Sequence, residues 1–174
     1  MKHFIVTIAV FLLTGTIIGC NAMNPEIDIE TEKAKIAEVI KNNIGWAVNK
    51  DTDLLYSTVA HDEDLFWFSP DDAGTVRGFK AFTELTENFF LLDDFKAISS
   101  NVRELEINLS KSGDAAWYRA RLDDYNEWKG KPANWENVRW TGVLEKQKGN
   151  WVIVQMHFSY PYEQMVNKNT ESGG

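Results

Sequence analysis

Between Thr31 and Lys50 the residues Ile36, Val39, Ile40, Ile44, Ala47 and Val48 fall three and four apart, which predicts an amphipathic helix with one apolar stripe. Glu30 and Glu32 at its start suit the positive end of the helix dipole. Asp51 is placed to cap a short second helix through Leu54 and Leu55. "DLFWFSP", residues 64–70, predicts a strand stopped by Pro70; "DDAG" predicts a turn; and 78–92 predicts a third helix with Phe82, Leu85 and Phe89 turned inward.

After Asp94 the period changes from helical to two. In "VRELEINLS" the residues Leu105, Ile107 and Leu109 alternate with Glu104, Glu106 and Asn108, the pattern of a strand with one dry face and one wet face. "KSGD" turns the chain into a strand over 115–125, "AAWYRARLDDY". "NEWKGKPAN" then reads as a loop, "WENVRWTGVLEK" as a strand, "QKGN" as a turn and 151–160 as the last strand. Helices followed by a meander of long strands predict an α+β domain, helices packed on one face of a curved, mostly antiparallel sheet.

Composition changes the picture mainly at the N-terminus. Lys2 precedes the apolar run Phe4 to Leu13, and the stretch closes on Ile17-Ile18-Gly19-Cys20. That is the outline of a secretion signal, too short and too interrupted by Thr14, Gly15 and Thr16 for the ~20 apolar residues of a membrane span. Its last four residues resemble the bacterial lipobox, which implies a signal peptide over 1–19 and a lipidated Cys20. Residues 20–30 are then a polar tether, 31–162 one domain of 132 residues, and 163–174 a disordered tail. Cys20 is the single cysteine, so no disulfide framework, cysteine nucleophile or cysteine-ligated metal site is expected in the folded part. The whole chain carries −8; loss of Lys2 with the signal leaves 17 basic against 26 acidic residues, a net charge of −9. Nucleic acid is therefore not an expected partner, and an anionic membrane would hold such a protein only through its lipid.

The order of elements, with "VRWTGVLEKQKGNWVIVQMHFSYP", resembles the end of a SnoaL-like domain of the nuclear transport factor 2-like superfamily. The motif positions are Arg139, Thr141, Gly149, Trp151, His157 and Ser159. "AAWYRARLDDY" is similar to the strand that supplies a pocket arginine in the association domain of calcium/calmodulin-dependent kinase, with Arg121 at the matching place. The resemblance implies a cone, three N-terminal helices on a strongly curved sheet, with a cavity open at one end and homodimers paired through the sheet's outer face. It implies no single activity: such folds serve isomerases, dehydratases, cyclases, epoxide hydrolases, binders and assembly modules.

Strict alternation along 151–159 places Trp151, Ile153, Gln155, His157 and Ser159 on one face, apolar at the turn and polar at the far end, as a tapering cavity would be. A structural corner in which His157 and Ser159 bond neighbouring strands is the competing reading. Arg119, Arg121 and Asp123 share a face with Trp117, and Arg139 shares one with Thr141 and Val143. An arginine among apolar residues needs a carboxylate or an anionic ligand when buried. The candidate ligand site is therefore Trp67, Trp117, Arg121, Arg139 and His157, with His157 and Asp64 as an acid/base pair if there is chemistry. For Arg119 an ion pair with an aspartate on the solvent face is expected instead. "HDED", residues 61–64, is read as a solvated loop, with no metal and no cofactor expected. Trp128 and Trp135 suit an exposed dimer surface, or stacking on sugar rings. Together these residues point to an envelope lipoprotein, facing the periplasm from an outer membrane where there are two, that binds a small, partly apolar ligand. The alternatives are an isomerase- or dehydratase-type enzyme and a dimerising or carbohydrate-binding module.

Overall fold

Asp28 folds its carboxylate back over the first turn of helix α1 (Ile29–Gly45), accepting from the Thr31 amide at 3.1 Å and the Thr31 hydroxyl at 2.6 Å. The structure, a computed structural model, describes residues 28–164. The expected signal peptide, Cys20, most of the tether and the tail from residue 165 lie outside the described residues. Ile36 and Ile40 of the apolar stripe are fully buried, each contributing roughly 1.5–3 kcal/mol of transfer free energy. A 3-10 turn (Trp46–Val48) leads to helix α2 (Thr52–Ser57), whose cap is Asp51, accepting from the Leu54 amide at 3.0 Å. Asn43 ties the two helices by donating to the Thr58 hydroxyl at 2.9 Å in the interior. Helix α3 (Phe79–Leu85) is shorter than the expected 78–92, because at Thr86 it widens into a π turn, Thr86–Phe90.

The strands are β1 (Phe66–Phe68), β2 (Val76–Arg77), β3 (Phe95–Leu109), β4 (Ala115–Trp128), β5 (Lys131–Pro132), β6 (Trp135–Gln147) and β7 (Asn150–Ser159). They form one sheet in the order β2-β1-β7-β6-β4-β3, with β5 paired to the end of β4. β1 runs parallel to β7 and the other pairs are antiparallel, so the sheet is mixed. Two tight turns set its length. Lys148 and Gly149 both have positive φ, 51° and 88°, which lets a two-residue turn match the twist of β6 and β7. Lys129 and Gly130, at 51° and 72°, do the same between β4 and β5. The expected loop after residue 125 is therefore a continuation of β4 to Trp128 and a second hairpin.

Register breaks bend the sheet around α1: two between β3 and β4, one between β4 and β6, one between β6 and β7. Ala116, Tyr118 and Leu122 of β4 and Val138, Trp140 and Leu144 of β6 point to the concave side, where they join Ile36, Ile40 and Phe82 in the core. On β7 the break overturns the strict alternation expected from the sequence. Val143 pairs with Gln155 and Leu144 with Ile153, so Val154 is an extra residue that reverses the phase. Trp151 and Ile153 are buried on one side of it; Met156 and Phe158 are buried on the other. Gln155, His157 and Ser159 consequently turn to the convex face, opposite Val143, Thr141 and Arg139.

Candidate functional site

A cavity of about 450 Å³ lies between the concave face of the sheet and the helical segments, within the ~300–1,000 Å³ common for small-molecule sites. Asn43, Ile44 and Trp46 line it from α1 and the following turn; the π turn adds Thr86, Phe89 and Phe90. Trp67 enters from β1, and Phe158 and Met156 from the phase-reversed half of β7. The walls are aromatic and mutually braced. Trp67 stacks on Phe90 with centroids 5.7 Å apart, and tilts against Phe158 at 5.8 Å. Trp135 meets Phe158 at 5.3 Å, and Trp128 stacks on Phe89 at 4.8 Å.

The end of β4 places two polar side chains on this apolar lining, Asp124 from the expected strand and Asn126 from its added length. Asn126, 6% exposed, donates its Nδ2 to the Asp124 Oδ2 at 2.9 Å and to the Asp124 carbonyl at 3.4 Å. Its backbone amide donates to Asn134 Oδ1 at 3.0 Å. Both amide hydrogens face Asp124, so the orientation of the side chain is fixed and its Oδ1 is left without a partner among the described residues. Trp67 Nε1 is likewise buried and unpaired. Burial raises the Asp124 pKa above the usual carboxylate value, with the Asn126 amide opposing the shift. Asn126, Trp67 and Asp124, which carry a buried acceptor, a buried donor and a desolvated carboxyl, thus all line one apolar space.

Of the residues expected to line a ligand site, Trp67 lies in this cavity. Trp117, Arg121, Arg139 and His157 share the convex face instead. Trp117 is 50% exposed; Arg121 donates to the Asn137 carbonyl at 3.5 Å and pairs across the strands with Arg139. His157 leans on Phe68, ring centroids 5.1 Å apart, on the side away from the core. Asp64 is exposed at the rim of a separate shallow cleft with Phe66, Arg77 and Gln155. It precedes β1 by two residues while His157 pairs with the last residue of β1, a separation of roughly 13 Å at ~3.3 Å per residue, so the two do not converge. Arg119 pairs with Glu106 at 2.9 Å rather than with an aspartate, and Asp123 accepts from Arg103 at 2.6 Å. That guanidinium lowers the Asp123 pKa. Trp128 and Trp135 line the cavity instead of forming an exposed surface.

A model of the SnoaL-like domain matches residues 36–163. The chain belongs to the SnoaL-like domain family. No curated protein matches it. Among solved structures, this SnoaL-like domain is similar to a nuclear transport factor 2-like superfamily protein from Salmonella enterica, with 20% identity and a TM-score of 0.61 over 76% of this chain and 92% of that one. A nuclear transport factor 2-like protein of unknown function from Prochlorococcus marinus is 17% identical, TM-score 0.60, over 78% and 97%. A protein from Exiguobacterium sibiricum described as a putative calcium/calmodulin-dependent kinase II association domain is 7% identical, TM-score 0.60, over 76% and 95%. These likenesses fix the fold as nuclear transport factor 2-like and carry no activity across. In this SnoaL-like domain the signal that would have located Asp124 and Asn126 is the Lys-Gly pair at 129–130, the same dipeptide that turns β6 into β7.

Proposed function

We propose that the protein binds a small, partly apolar molecule in the cavity on the concave side of its SnoaL-like domain. The observation that carries this reading is the cavity itself, about 450 Å³ of aromatic-walled space whose lining includes Asn126 and Trp67, each with a buried polar atom left unpaired among the described residues. A core built only for stability would leave neither the volume nor the two polar atoms, since voids and unsatisfied buried groups each lower stability. Native mass spectrometry of the purified protein tests the reading. A mass increment in the wild type that disappears in Ala47→Phe, which fills the cavity from the turn after α1, supports it. A wild type free of any increment, in which Ala47→Phe also leaves the uptake of small aromatic molecules unchanged, overturns it.

One observation favours a second reading, an isomerase- or dehydratase-type enzyme. Asp124 is a desolvated carboxyl inside the cavity, the setting in which a carboxylate becomes a useful proton acceptor or donor near neutral pH. In that reading Asp124 takes the role first expected of Asp64 and His157.

We also propose that Cys20 anchors the protein by lipid to the cell envelope, on the strength of the signal-like residues 1–20. Two copies pair through the convex face. The exposed Trp117 and Phe68, together with two arginines adjacent across β4 and β6, support that pairing.

A further inference from the structure

We propose that the cavity selects a protonated organic amine, an ammonium group attached to an aromatic or similarly apolar body, over neutral or carboxylate ligands of the same size. This rests on the binding reading above and adds the class of ligand to it. Among the described residues no lysine, arginine or histidine lines the cavity, while two carboxylates, Asp124 and Asp71, do. The neighbouring cations are committed outside it. Lys129 lies over the Trp128 ring and pairs with Asp94 at 3.7 Å; Lys50 donates to the carbonyls of Leu91 and Leu92 at 3.1 and 2.7 Å. A carboxylate ligand would enter an apolar space with nothing to neutralise it and with Asp124 repelling it.

An ammonium finds the opposite surroundings. Trp67, Phe90, Trp135 and Phe158 present ring faces and edges of the kind that attract a desolvated cation. The Asn126 Oδ1, buried and unpaired, is an acceptor whose two amide hydrogens are already held by Asp124. An N–H of the ligand supplies the missing donor, and the Asp124 carboxylate beside it supplies the counter-charge. Aspartate that is costly to ionise in the empty cavity becomes easier to ionise once a cation is present, so ligand charge and Asp124 charge reinforce each other.

Benzylamine, benzyl alcohol and benzoate share a ring and differ in charge, so titrating each into the full-length protein at pH 7, followed by tryptophan fluorescence, separates the possibilities. Benzylamine binding at least tenfold more tightly than the other two is the expected result. Asp124→Asn should remove that preference, benzylamine affinity falling to that of benzyl alcohol in the same variant, and circular dichroism establishes that the variant is folded. Equal or tighter binding of benzyl alcohol or benzoate by the wild type overturns the inference and leaves the cavity reading standing. Retention of the amine preference in Asp124→Asn overturns it as well. Failure of all three compounds to bind overturns both the inference and the cavity reading.

Discussion

Replacing Glu32 by Gln perturbs the junction that fastens α1 to the sheet. The Glu32 carboxylate is nearly covered, its side chain 11% exposed, and it accepts from Trp151 Nε1 at 2.6 Å, Lys146 Nζ at 2.6 Å and Lys35 Nζ at 2.8 Å. The two lysines, Lys146 first, with help from the indole, lower its pKa from 4.5 to about 2 against the opposing effect of burial. A shift of that size corresponds to roughly 3.4 kcal/mol at ~1.36 kcal/mol per pH unit. Lys35 is 57% exposed and Lys146 28%, so solvent screening reduces the figure to about 2 kcal/mol. Glutamine keeps an acceptor for Trp151 and loses the charge. The expected loss at pH 7 is therefore about 2 kcal/mol, several degrees in Tm for a domain of this size. The native pKa lies below the unfolded one, so the stabilisation is complete above pH 4.5 and disappears as pH falls through about 2. Urea unfolding of wild type and Glu32→Gln at several pH values measures it: the two curves should stand apart at pH 7 and converge between about pH 5 and pH 2. A gap under ~0.5 kcal/mol at pH 7, or one of equal size at pH 3, refutes the reasoning.

Gly142→Ala should destabilise the domain by about 2–3 kcal/mol or more in chemical denaturation, because a Cβ there would lie 2.6 Å from the Gln155 carbonyl oxygen and 2.6 Å from the ring of the buried Tyr118. Asp124→Asn should raise Tm at pH 7 in the ligand-free protein, since a carboxyl with a raised native pKa lowers stability once it ionises; an unchanged or lower Tm contradicts the burial ascribed to it. His157→Ala should leave the affinity for cavity ligands within about twofold by fluorescence titration, because its ring meets Phe68 on the convex side.

The helical stripe, the cap at Asp51 and the grouping of arginines with Trp117 were legible because each depends on neighbours a few residues apart. The face presented by the end of β7 was not. Residues 151–154 are all apolar, so nothing in that run marks Val154 as the extra residue, and counting by twos through it carries His157 to the wrong side. Asn137 produces a similar step in β6, where its positive φ of 54° moves the inward phase from Val138 to Trp135. Asp124 and Asn126 looked like the end of a strand and the start of a loop until the Lys129-Gly130 turn extended β4 beneath the cavity. Two of these misreadings are local changes of phase and the third is a strand longer than expected; each changes which side chains meet a ligand without changing the fold.

Amide chemical-shift mapping during a benzylamine titration locates the site residue by residue. Binding in the cavity should place the largest changes at Trp67, Phe90, Asn126, Trp135 and Phe158, on the concave side. Changes centred on Trp117, Arg121, Arg139 and His157 would place recognition on the convex face and contradict it.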